Sequence, residues 1–139
     1  MILLTPDIRY ALRANAICSA AAQAQDRRFH PVPVVKFFNP LGAGTWLATE
    51  FYDDADTLFG LADLGFGCPE LGVFSLMEIE AVRLPFGMRI ERDLGFASPH
   101  RLSKWSEPAR RAGSIIQAEQ LLPKSAADPA PTFRPILST

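Results

Sequence analysis

Eight carboxylates, those of Glu50, Asp53, Asp54, Asp56, Asp63, Glu70, Glu78 and Glu80, lie between Phe37 and Val82 with no lysine or arginine among them. From Arg83 onward the balance reverses, to nine basic residues against five acids. Segregation of this kind makes a field with two poles, one suited to a basic partner or a cation, the other to an acidic surface. Acids that merely solvate, or that neutralise the basic block across the fold, account for the same letters. A hard cation held by carboxylates is one chemistry to consider, but Asp53-Asp54-Ala55-Asp56 lacks the glycine and distal glutamate of a calcium loop. Paired carboxylates for acid–base work are another. Glu91 and Asp93 fall on one face of an expected strand, about 7 Å apart by the ordinary two-residue rise. Glu50 and Asp63 sit on expected neighbouring strands. Ion pairing of Glu91 and Asp93 with Arg89 and Arg92 is the plainer reading of that group.

The remaining reactive side chains are sparse. His30 and His100 stand far apart and neither belongs to a ligand-spaced pair, which disfavours zinc. Two cysteines, Cys18 and Cys68, are too few for a disulfide scaffold. Cys68 sits in the acid-only stretch, where negative neighbours disfavour a thiolate, and reads as a buried or inert loop thiol. The glycines near Gly42 and Gly44 and from Gly60 to Gly67 fit neither a P-loop, because no lysine follows, nor a dinucleotide fingerprint, because Gly44 is followed by an expected strand. No cofactor is implied. Trp105, with Arg83, Arg89, Arg92, Arg101, Lys104, Arg110 and Arg111, offers a weak case for nucleic-acid binding in the basic half. A net charge of -1 over 139 residues speaks against it.

These residues must be positioned by a chain of one-domain length, 48% apolar and 21% charged. Its apolar runs fall short of the roughly 18 residues of a membrane helix. The start, Met1 to Asp7, lacks the basic n-region and cleavage site of a signal peptide, and no membrane association is expected. Thr5-Pro6-Asp7 predicts a helix start, with a hydroxyl cap, proline at the first position and an acid in the first turn; the helix should run to about Gln25. Pro31 to Phe38 reads as a strand whose prolines keep its beginning outside the ladder. Thr45 to Tyr52 makes the hairpin partner, with Thr45, Leu47, Thr49 and Phe51 on one face and Trp46, Ala48, Glu50 and Tyr52 on the other. Thr57 to Leu64 predicts a third strand, Glu70 to Phe74 a fourth and Met88 to Phe96 a fifth. Ser75-Leu-Met-Glu78 is a capping box opening a helix through about Val82. Ser98-Pro99 and Ser106-Glu-Pro108 look like two short helix starts, and another turn of helix is expected near Gln117 to Leu122. The sum is an α+β fold: a mostly antiparallel sheet of about five strands with an N-terminal helix and short C-terminal helices. Residues 1–116 are expected to form the domain and 117–139 a flexible proline-rich tail.

Phe38-Asn-Pro-Leu-Gly-Ala-Gly-Thr-Trp-Leu-Ala-Thr-Glu50, Phe59-Gly-Leu-Ala-Asp-Leu-Gly-Phe-Gly67, Pro69-Glu-Leu-Gly72, Ser75-Leu-Met-Glu78 and Ile90-Glu-Arg-Asp93 occur in that order. The chain from about residue 3 to 115 thereby resembles a bacterial domain family of unknown function carried on plasmids, integrative conjugative elements and phages. The resemblance implies a mobile-element setting near conjugation and anti-defence genes and a cytoplasmic location in a bacterium; it implies no reaction. The leading expectation is a non-enzymatic accessory protein that binds a host or element-encoded protein, inhibition of a host defence complex being one form of it. Trp46 would be the apolar anchor, and Glu50, Asp53, Asp54, Asp56, Asp63 and Glu70 would set orientation and partner choice. The alternatives are a small carboxylate-based hydrolase or nucleotide-processing enzyme, with or without the assistance of a metal, and a nucleic-acid module in the basic half.

Overall fold

A computed structural model describes residues 1–122. Helix α1 (Pro6–Ala24) is followed by β1 (Val35–Phe38), β2 (Thr45–Phe51), β3 (Thr57–Asp63) and β4 (Glu70–Ser75). Then come α2 (Leu76–Ala81), the two-residue β5 (Glu91–Arg92), α3 (Leu102–Ala112) and α4 (Ile115–Leu121). All strand pairs are antiparallel and the sheet order is β4-β3-β2-β1-β5. The α+β fold with a five-stranded antiparallel sheet, an N-terminal helix and short C-terminal helices is therefore as expected.

Both faces of the sheet are covered. On one, Trp46, Ala48 and Phe51 of β2, with Val35, Phe37 and Leu58, pack with Leu12 of α1, Leu76 and Ile79 of α2, and Leu3 and Leu4. On the other, Leu47 and Leu61 pack with Leu102, Trp105 and Ala109 of α3 and Ile115 and Ala118 of α4. Strand β2, buried at all seven positions, is the spine shared by the two cores. Ala118 is fully buried, so the packed chain runs past the expected boundary at residue 116. The rest of the expected tail, 123–139, lies outside the described residues.

Several local expectations are corrected. Phe51 lies with Trp46 and Ala48, not with Leu47, because the ladder to β3 skips a residue between Ala48 and Glu50. One extra residue, Thr49, moves the later residues of β2 to the opposite face, as a bulge does to a two-residue period. The fifth strand shrinks from nine residues to two. Its only partner among the described residues, β1, is four residues long, and a tight turn with positive φ at Phe86 and Gly87 precedes it. The two short helix starts after Ser98 are one helix with Pro108 inside. Leu102, Trp105 and Ala109 share its buried face, and that burial outweighs the proline. Thr5 does not cap α1 by accepting an amide; its hydroxyl donates to the Asp7 carboxylate.

Candidate functional site

Three of the six acids expected to face a partner, Asp54, Asp56 and Asp63, are occupied in shaping the backbone. Asp54 Oδ1 accepts the amides of Asp56 and Thr57 at 2.9 and 2.8 Å, closing the β2–β3 turn in which Ala55 takes a positive φ. A hydrogen bond from the Thr57 hydroxyl, and then these two amides, hold the exposed Asp54 carboxyl below its ordinary value. Asp56 reaches the start of α2: Oδ1 accepts the Met77 amide at 2.8 Å and Oδ2 accepts the Ser75 hydroxyl at 2.8 Å. Ser75 Oγ in turn accepts the Glu78 amide at 3.1 Å, the N-cap that Ser75-Leu-Met-Glu78 predicts.

Asp63 is only 1% exposed. One oxygen accepts the Gly65 amide at 2.8 Å, an Asx-turn, and the other accepts the Ile115 amide at 3.0 Å, where α4 begins. Trp46, 8% exposed, belongs to the core under α1 and cannot anchor a partner. These two assignments to a contact surface are thus corrected: both side chains are consumed by the fold. Asp53 and Glu70 remain exposed.

Glu50 is buried without such a backbone role. It lies against α1, where it lines a cleft of about 450 Å³ with Arg13, Ala16, Ile17, Ser19, Ala20, Gln23, Tyr52 and Asp53. It is 7% exposed, and burial pushes its carboxyl above the ordinary range; a hydrogen bond with Ser19 offsets part of that rise. Burial, and then the negative charge of Glu50, push the Tyr52 phenol up as well. No lysine or arginine forms an ion pair with Glu50 among the described residues. Arg13, on the cleft wall, donates Nη1 to the Phe51 carbonyl at 2.7 Å. The sequence offered no signal for this meeting, because β2 and α1 are joined only by a long-range crossing.

A carboxyl whose folded pKa is raised weakens the fold while it is ionised. At pH 7 Glu50→Gln should therefore raise Tm by a few degrees, a gain of about 1 kcal/mol. The gap between variant and wild type should be full above the raised value and shrink as pH falls through it. It should vanish near the ordinary carboxylate value of about 4.3. Melting curves from pH 4 to 8 decide this; a gap independent of pH would assign the effect to packing.

The other candidate chemistries are not assembled. Glu50 and Asp63 do not meet, since Glu50 registers with Phe59 and Asp63 with Thr45 at the far end of the hairpin. Asp93 pairs with Lys36 at 3.6 Å, and Lys36 also holds Glu119 at 3.1 Å. The expected network with Arg89 and Arg92 is replaced by bonds from Arg89 to the Glu80 carbonyl and from Arg92 to the Ile2 and Leu3 carbonyls. Trp105 is buried, with Nε1 donating to Ser98 Oγ at 3.0 Å, so it offers no platform for a base. Cys68, expected to be buried or inert, is exposed, as is Cys18. Among the described residues no group of three or more His, Cys, Asp or Glu side chains gathers as a metal site, and no helix is long and apolar enough to cross a membrane.

A different surface comes forward in their place. β4 is an outer strand that bonds only to β3 among the described residues, in unbroken one-to-one register. Leu71 and Val73 on it are exposed, Val73 at 62%, and Phe66 in the preceding loop is 84% exposed. Glu70 stands at its first position. The signal in the sequence was Glu-Leu-Gly-Val-Phe-Ser itself, a strand with no lysine, proline or bulge to guard an edge.

Neither the curated proteins nor the solved structures contain a match to this chain. A family model described as "Protein of unknown function (DUF2958)" matches residues 3–116, most of the length that builds the sheet and its two helical layers, and the chain belongs to that family.

Proposed function

We propose that the chain is a non-enzymatic, protein-binding accessory factor of a mobile genetic element, and that it docks a host or element-encoded protein along β4. The observation that carries this reading is the unguarded outer edge of β4. An open strand edge presents unpaired amides and carbonyls that an extended segment of another chain can complete, while alternate side chains supply specificity. Phe66, Leu71 and Val73 would provide apolar contact, and Glu70 would orient the partner. The stretch from Phe37 to Val82 holds eight acids and no basic residue, so a basic or apolar-basic segment suits the edge. The dispersal of Glu50, Asp63 and Asp93 into separate environments supports binding over carboxylate catalysis. In the mobile-element setting that the sequence resemblance implies, a host defence complex is the partner class to try first.

Leu71→Lys with Val73→Lys tests the edge. Both positions are exposed, so the variant should fold, and lysines are the residues that natural edges use to refuse a partner. A protein that co-purifies from nuclease-treated bacterial lysate with the wild type should be lost at least tenfold with the variant. Equal recovery by a folded double variant would remove β4 from the reading. Recovery that disappears with nuclease would favour nucleic-acid binding instead.

A further inference from the structure

We propose that the cleft between α1 and β2 binds an alkylammonium or guanidinium group, with Glu50 as its counter-ion. This site goes beyond the β4 edge and does not depend on it. The cleft's volume, about 450 Å³, falls within the range of small-ligand pockets. One lining carboxylate belongs to Glu50, a residue 7% exposed, and has four acceptor positions, one of which the Ser19 hydroxyl serves. A buried carboxylate left without a cation is costly, and a ligand that supplies one recovers that cost on binding.

The walls suit the rest of such a ligand. Ala16, Ile17 and Ala20 along α1 offer an apolar strip for methylene groups, while Asp53 at the exposed rim adds a second negative charge. The one cation on the lining, Arg13, is engaged with the Phe51 carbonyl at 2.7 Å. The Glu50 carboxyl answers to burial and to Ser19, with no contribution from that guanidinium. An extended stem ending in a cation therefore places its stem on alanines and its head on Glu50. A free polyamine-like molecule and an arginine or lysine side chain of a protein share this chemistry.

The full-length chain labelled with nitrogen-15 can be titrated with agmatine, with a blocked peptide carrying one arginine, and with neutral butylurea. Saturable shifts of the Ala16, Ala20, Glu50 and Tyr52 amides are expected with the cations, with affinity on the order of 1 mM for agmatine. They should be absent with butylurea and fall at least tenfold in Glu50→Gln. Ala20→Lys gives a second route, because position 20 is exposed and a lysine there should occupy the cleft from within and weaken agmatine at least tenfold. Shifts with agmatine alone would identify a small free cation as the source; shifts with the peptide as well would admit a protein side chain. No saturable shift with either cation would overturn the proposal. So would shifts that persist undiminished in folded Glu50→Gln or that butylurea reproduces.

Discussion

Gly60→Ala should leave little folded protein, lowering Tm by roughly 10 °C or more, a loss of about 3 kcal/mol or greater. A Cβ built at Gly60 would stand 1.8 Å from the Leu47 carbonyl oxygen and 2.9 Å from the Ala48 Cα. Those atoms are backbone of the central strand, so no side-chain rotation relieves the overlap. Gly60 pairs with Ala48 just before the bulge. Relief requires separating the pair whose Leu47 and Leu61 carry one core and whose Ala48 and Leu58 carry the other. Gly72→Ala is the matched control: it lies on β4 with nothing within 4 Å of the added carbon, and its Tm should move by no more than about a degree. The pair separates close approach from the general effect of alanine on a strand. Equal Tm values for the two variants would mean that β2 and β3 are not held at this distance in solution.

The same bulge marks the limit of what the sequence discloses. Thr5-Pro6-Asp7 places the start of α1 correctly, and simple alternation along Thr57 to Leu64 puts Phe59, Leu61 and Asp63 on one side of β3. Pro31 and Pro33 hold β1 back to Val35, as proline chemistry demands. These signals act over a few residues and are written in them. The bulge at Thr49 is not, because it answers to Gly60 across the ladder, and it alone turns Phe51 to the α1 face. Glu50 likewise becomes interesting only when α1 lies over it. Two other features are local and legible. Leu102, Trp105 and Ala109 are spaced for one helix face, a stronger signal than the proline at 108. Asp-x-Gly at 63–65, and the aspartate beginning the Asp54-Ala55-Asp56 turn, carry the Asx-turn pattern, which marks these acids as backbone partners.

That pattern matters most at Asp63, where Asp63→Ala should cost about 2–4 kcal/mol. The substitution strands two amides, those of Gly65 and Ile115, of which the second lies in a buried setting where water cannot readily replace the lost acceptor. Asp63→Asn should do nearly as badly. One of its terminal atoms becomes a donor, and whichever way the amide is turned that donor faces a backbone N–H. Ionised acceptors also make the stronger bond. The damage should spread from the point of attachment. Ile115 opens α4 and packs in the second core with Ala118, while Gly113 before it lies against the Gly67 backbone, its added carbon meeting the Gly67 oxygen at 3.2 Å. Loop 64–68 and the α3–α4 turn are thus tied through one carboxylate, and hydrogen exchange should accelerate at Gly65, Ile115 and Ala118 before it does in β2. A Tm within about a degree of wild type, with Ile115 still protected, would show that the carboxylate is dispensable. The result also governs how the acidic stretch is tested for binding. Glu50→Lys with Asp63→Lys places a lysine where an acceptor is required at 1% exposure, so it should unfold the chain, and lost binding would then report lost structure. Charge reversal at Glu70 and Asp53, which are exposed, tests the acidic surface without touching the tie.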